Sequence, residues 1–297
     1  MPPYDLIIIG GSYAGMAAAL QLVRARRRVL ILDAGQRRNR FASHSHGFLS
    51  QDGSDPAEIA AIARRQLLAY PTLTWMEDLA VSASGHDDAF VVITAGGALC
   101  EGRRLLLAVG VSDALPAIEG LRERWGRSVF HCPYCHGYEL DQGAIGVIAT
   151  GPLSVHQAEL LPEWGTVTLL LNGALDLDAD ARSALAQRGV TVETQEIVRL
   201  QGHAEVLLAD GRTRAFAGLF TAPRNAPSTP VAEALGCALM ETPAGTQYQT
   251  SEAKLTSVPG VYACGDAARM PHSVSLAVAD GAWAGAQIHR SLVWPQG

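Results

Sequence analysis

Apolar positions in this chain cluster in short runs, and alanine-rich stretches and glycine turns separate them, which is the rhythm of a wound α/β protein. Tyr4–Ile9 is a β-branched run suited to a buried parallel strand, Ala14–Arg26 predicts a helix, and Arg28–Leu32 predicts a second strand that ends at Asp33. A polar loop from Gly35 to Gly53 carries His44 and His46, and Asp55–Ala69 reads as helical. Alternating stretches follow as far as Leu107. A second β-α-β unit begins near Ala144, with strand Ile145–Ile148, helix Pro152–Glu163, strand Val167–Leu171 and a closing apolar strand at Gly218–Ala222. The final segment predicts a strand at Val261–Ala263 and a long helix from Ser273 to Leu292. Two β-α-β units, each opened by a turn of small residues, predict two domains of nucleotide-binding type.

Composition narrows this picture without changing it. The chain has 297 residues, 48% of them apolar and 18% charged, which is globular and long enough for two cores. A net charge of −6 leaves no electrostatic footprint for nucleic acid or an acidic membrane surface. No apolar run reaches transmembrane length, and the first apolar run passes straight into a glycine turn rather than a signal-peptide pattern. The expectation is a cytoplasmic protein with no membrane or nucleic-acid partner. Lys254 is the only lysine, which reads as codon bias toward arginine. Five cysteines are too few and too unevenly placed for a secreted disulfide scaffold.

The segment Gly10-Gly11-Ser12-Tyr13-Ala14-Gly15 follows a strand and opens a helix. Glycine at the first position permits the turn, and Gly15 permits close helix–strand packing. A pyrophosphate would then meet the free N–H groups and positive end of the helix, while Asp33 accepts from ribose hydroxyls. Ser12 replaces the middle glycine of the motif, a small change that still permits close approach. A tight turn without ligand reads similarly, but strand, turn, helix and acidic residue in order favour a dinucleotide site.

Cys132-Pro133-Tyr134-Cys135, followed by His136-Gly137, is the second chemical feature. As a zinc half-site it lacks a second ligand pair, so no metal is expected. Core packing is the bland alternative, and a redox dithiol/disulfide is the favoured one. The same tetrapeptide occurs in glutaredoxins, but there it lies near the start of a short domain. A thiolate is the attacking species, so the flanking His131 and His136 are candidates for handling its proton, with His44 and His46 as remote candidates. Cys100, Cys237 and Cys264 stand alone and read as buried apolar residues.

Gly260-Val261-Tyr262-Ala263-Cys264-Gly265-Asp266 resembles the C-terminal flavin motif of flavoproteins with two dinucleotide-binding domains, and Leu107-Ala108-Val109-Gly110 resembles their mid-chain signature. With these motifs in order, the chain resembles a low-molecular-weight thioredoxin reductase along nearly its whole length. The resemblance implies an α/β fold of two Rossmann-like dinucleotide-binding domains. Residues 1–113 and 225–297 would form a discontinuous FAD domain, and residues 114–224 an inserted NAD(P)-like domain carrying the CxxC. It implies FAD held by Gly10, Ser12, Gly15, Asp33, Asn39, His46, Gly110, Gly265, Asp266, Ser273 and Val274, with the helix after Ser273 directed at the flavin pyrimidine. It also implies a homodimer. Catalytic roles fall by position on Cys132 toward substrate and Cys135 toward the flavin. His136 stands where the family usually has aspartate and would hold protons.

The central segment departs from that family. Its nucleotide turn reads Ala149-Thr150-Gly151-Pro152-Leu153-Ser154, without the first glycine. In place of an arginine cluster for a 2′-phosphate stand Leu171-Asn172-Gly173-Ala174, then Asp176, Asp178 and Asp180. Charge-assisted hydrogen bonds to phosphate contribute about 1.5–3 kcal/mol each, so losing two weakens NADPH by about two powers of ten or more. No acidic residue at position 172 favours NADH instead. The Cys-Pro-Tyr-Cys-His-Gly segment and altered turn are similar to thioredoxin-reductase-like dithiol oxidases, which close disulfides in gliotoxin, holomycin and romidepsin. The expected partners are a small-molecule dithiol or small redox protein, with O2 as electron acceptor and H2O2 as product. The alternatives are a disulfide reductase fed by NADPH or ferredoxin, and a slow redox sensor.

Overall fold

A computed structural model describes residues 3–295, so residues 1, 2, 296 and 297 of the expected FAD-domain segments lie outside it. The first β-α-β unit forms as its pattern requires. Strand Tyr4–Ile9 pairs in parallel with Val29–Leu32 on one side and Leu99–Leu107 on the other, and helix Tyr13–Arg24 connects the first two. The sheet continues through Leu73–Met76 beyond Val29–Leu32. On its other side, Leu99–Leu107 pairs antiparallel with Ala89–Thr94 near its start and parallel with Val261–Ala263 near its end. Ala80–His86 completes seven strands. Leu6, Ile7 and Ile8 are fully buried, because both faces of the sheet are covered.

The last helix, Val274–Val293, packs along the first helix at very short range. A Cβ at Gly281 would fall 2.7 Å from the Ala14 carbonyl carbon, and one at Gly285 would fall 2.6 Å from the Ala18 oxygen. Small residues on both helices allow that approach, and it presses the last helix against the start of the glycine turn.

The second sheet holds five parallel strands in the order Thr191–Glu193, Thr166–Leu170, Ala144–Ile148, Gly218–Thr221, Val129–Phe130. Its helix is shorter than expected. Leu153–Leu160 is α-helical, and Pro162 lies in a 3-10 turn, Leu161–Glu163, that closes it. The chain crosses between the two sheets on Val111–Ala114 and Arg224–Pro227, which pair antiparallel with each other. The expected segment boundaries at 113/114 and 224/225 fall inside these strands. Among the described residues, no helix is long and apolar enough to cross a membrane.

Candidate active site

The glycine turn has the form of a dinucleotide cradle. Gly10 has a φ of +109°, which disfavours any side chain, and its Cβ would fall 2.7 Å from the Ala108 carbonyl carbon. Gly11, which the motif does not require, faces Asp33: a Cβ there would lie 2.6 Å from that residue's Cβ. Ser12 is the N-cap of the first helix but its side chain makes no capping bond, leaving first-turn amides for a ligand. Asn39 donates to the Tyr13 hydroxyl at 3.2 Å, and its buried Oδ1 has no partner. Gly110 has a φ of +66° with open space around it. Asp33 accepts from the Gly35 amide at 3.1 Å. Uncapped amides, a cradle that a Cβ would fill and an orphaned amide oxygen together fit a large dinucleotide such as FAD.

The Gly265-Asp266 turn is set from behind. Asp280 on the last helix, 6% exposed, accepts from the Gly265 amide at 2.9 Å and pairs with Lys254 Nζ at 2.6 Å. The sole lysine is therefore a partner of this turn rather than a residue of no consequence. Ser273 caps the last helix by accepting from the Leu276 amide at 3.1 Å, and Val274 begins it.

Cys132 and Cys135 form a disulfide with their Cα atoms 5.3 Å apart. Cys132 is the N-cap and Pro133 the first residue of a short helical turn, Pro133–His136, where the fixed φ of proline suits the start. Gly137 lets this turn rest on Trp164: a Cβ would meet its Cγ at 2.7 Å. Tyr134, 73% exposed, packs edge-on to the same indole. Gln157, from the helix after the altered turn, donates to the His131 carbonyl at 2.8 Å. Cys100, Cys237 and Cys264 are free, buried thiols, and burial raises the pKa of each.

The two histidines beside the disulfide are neutral at pH 7. His136 stacks on Phe130 with ring centroids 4.2 Å apart, and burial, helped by His46, lowers it from 6.5 to about 4. His131 is held well below its ordinary value by burial, then by Arg38, His272 and His136. A folded pKa below the unfolded one means that the unfolded chain binds the proton first. The stability contributed by neutral His136 is complete above pH 6.5 and lost as pH falls toward 4. Melting temperatures should drop across that window, and His136→Asn should flatten the drop. An unchanged slope in the variant would show that His136 does not carry it.

His46 comes close to the CxxC region. Its Nε2 is 3.4 Å from Glu139, just beyond the CxxC, and its Nδ1 is 3.6 Å from Asp52. His44, His46 and His136 line one cavity of about 340 Å³ with Phe41, Phe130 and Arg127. That volume suits a small organic molecule. Sequence reasoning missed Arg38. Its guanidinium holds Asp113 through Nε at 2.9 Å and Nη2 at 2.5 Å, and Nη1 reaches Asp266 at 3.3 Å and His272 Nδ1 at 2.8 Å. Arg38 lay in a run of arginines within a loop, with no spacing to separate it from its neighbours.

The turn in the second sheet is closed on itself. The Thr150 amide donates to Ser154 Oγ at 2.9 Å, Thr150 Oγ1 donates to the Ala222 carbonyl at 2.7 Å, and the Ser154 amide donates to Gly151 O at 3.0 Å. Pro152 has no N–H to offer. Asn172 Oδ1 accepts from the Ile197 amide at 2.7 Å, and Asp178 caps helix Ala179–Gln187. The Thr150 and Ser154 amides and Asn172 Oδ1, which a second nucleotide would use, are thus bonded within the protein.

Residues 4–281 match the profile of the pyridine nucleotide-disulphide oxidoreductases. Over 99% of this chain and 100% of its own, the crystal structure of an oxidoreductase from Agrobacterium tumefaciens is 56% identical, with a TM-score of 0.97. The crystal structure of HlmI is 36% identical over 98% of this chain and 93% of its own, with a TM-score of 0.90. Thioredoxin reductase tcpT of Claviceps purpurea is 33% identical over 97% of this chain and 94% of its own length.

Proposed function

The chain belongs to the pyridine nucleotide-disulphide oxidoreductase family, and from that premise we propose that it is an FAD-dependent oxidase that converts a small organic dithiol to a disulfide. Its thioredoxin-reductase-like fold and redox pair make it an oxidoreductase; the direction of electron flow is the proposal. One observation carries it: the second nucleotide turn, whose Thr150 amide is taken by Ser154, opens the helix whose Gln157 holds the His131 carbonyl next to the Cys132–Cys135 disulfide. A Cys132–Cys135 disulfide combined with a second nucleotide turn whose Thr150 amide is already bonded fits electrons that enter from thiols.

The reaction balances as R(SH)2 + O2 → RS2 + H2O2. A substrate thiolate attacks Cys132 Sγ, forming a mixed disulfide, and Cys135 leaves as a thiolate. The second substrate thiolate then attacks the substrate sulfur of that bond. Cys132 is released, and both protein sulfurs are reduced. When bound, FAD supplies the two-electron acceptor that reoxidises the pair and passes the electrons to dioxygen. Gly10, Gly15, Asp33, Asn39, Gly110, Gly265, Asp266 and the amides after Ser12 and Ser273 would hold it. His136, neutral at pH 7 and lowered to about 4, passes a proton on rather than storing one. A cytoplasmic homodimer is part of the same reading.

Anaerobic mixing tests the direction. Dithiothreitol should bleach the flavin band, whereas NADPH at the same concentration should do so about a hundredfold more slowly or worse, from the missing phosphate contacts. Readmitted air should then restore the band with one H2O2 per disulfide. Rapid bleaching by NADPH would instead establish a reductase.

A further inference from the structure

The most heavily bonded charged cluster near the cofactor motifs is centred on Arg38, and no motif predicts it. Its side chain is 17% exposed and that of Asp113 is 6% exposed, so this is an enclosed charge network rather than a surface pair. Four groups from four segments meet there: Arg38 from the loop after the second strand, Asp113 from a crossing strand, Asp266 from the glycine–aspartate turn, and His272 just before the last helix. Arginine only donates, so His272 Nδ1 is the acceptor of the 2.8 Å bond and its proton sits on Nε2.

Arg38 touches Asp266 through a single carboxylate oxygen, Oδ2, and leaves Oδ1 for a ligand hydroxyl. Its two-pronged bond goes to Asp113 instead. Asp113 lies on Val111–Ala114, where the chain passes from the first sheet toward the second and pairs with the returning strand. One guanidinium therefore links the aspartate of the cofactor motif to the crossing strands. It also offsets two carboxylates that would otherwise repel a pyrophosphate nearby.

We propose that Arg38 is a positioning residue that sets Asp266 for the cofactor and, through Asp113, couples cofactor binding to the crossing strands that lead into and out of the segment carrying the CxxC. This rests on the FAD reading. Without Arg38 the two aspartates are left enclosed and unpaired, and Asp266 loses the contact that fixes its rotamer.

The test is a titration of FAD onto the full-length chain stripped of flavin, read by quenching of flavin fluorescence. Arg38→Met and Asp266→Asn should each weaken binding about 10- to 100-fold, the worth of one charge-assisted hydrogen bond. Together they should bind no more than about threefold worse than Asp266→Asn alone, because both remove one interaction. If Arg38→Met leaves too much charge unpaired to fold, Arg38→Met/Asp113→Asn keeps the local balance and should show the same loss. Hydrogen exchange reads the second half of the proposal. FAD should protect amides of 111–114 and 224–227 by about tenfold in the natural protein, and Asp113→Asn should abolish that protection. Multiplying losses, unchanged affinity without Arg38, or equal protection in Asp113→Asn would overturn this inference alone. A natural chain that takes up no FAD would overturn the cofactor reading and this inference with it.

Discussion

Cys135→Ser protein should bind FAD, melt like the natural protein and lose dithiol oxidation by at least about a thousandfold, the scale on which removing a covalent nucleophile falls. Serine fits the space, and the short turn Pro133–His136 is built by Pro133 and by the Gly137 amide bonding to the Pro133 carbonyl at 2.7 Å, not by the sulfur. Without the second sulfur no intramolecular disulfide exists for a substrate thiolate to open. Cys132 keeps its thiol and should take up a disulfide product as a mixed disulfide, visible as added mass that reductant removes. Stopped-flow absorbance in the flavin band, under nitrogen with dithiothreitol, is the measurement. Equal bleaching by variant and natural protein would remove the pair from the pathway.

Lys254→Met should be strongly damaging although it lies outside the redox pair. It leaves Asp280, 6% exposed, with Arg269 at 3.8 Å as its remaining cation. Breaking an enclosed ion pair from one side costs about 3 kcal/mol or more, which lowers the melting temperature by roughly 6–12 °C in a protein of this size. The damage reaches function because the same carboxylate accepts from the Gly265 amide. FAD affinity should fall with stability, and Lys254→Arg should recover part of both. A shift below about 2 °C in circular-dichroism melts would mean that Arg269 suffices.

Much of the scaffold was legible because periodicity reports burial. Tyr4–Ile9 and Val261–Ala263 form as strands over the residues their apolar runs mark, and the last helix starts one residue after its Ser273 cap. The glycine turn and the CxxC were legible because their chemistry is compressed into adjacent residues. Contacts between distant segments were not. Nothing in the spacing of Arg38, Asp113 and Asp266 announces that one guanidinium holds both carboxylates, since 75 and 228 positions separate the partners. Lys254 reads as compositional noise until the fold brings it to Asp280. His46 is similar: its loop borders the first strands in sequence, but its ring faces Glu139 beside the CxxC. The central helix ends early because Pro162 interrupts a pattern whose apolar residues continue.

The Ser154 hydroxyl that meets the Thr150 amide has a consequence for any attempt to convert this protein into a nicotinamide-driven enzyme. Grafting arginines near position 173 alters only the rim of a socket in which a native side chain already serves as the resident anion mimic. Such a graft adds attraction without vacancy. Conversion must begin by evicting that tenant and replacing Pro152, so that bare amides face outward before any charge is added. On the oxidase reading the order of changes therefore matters: the Thr150 amide has to be freed before added charge can act.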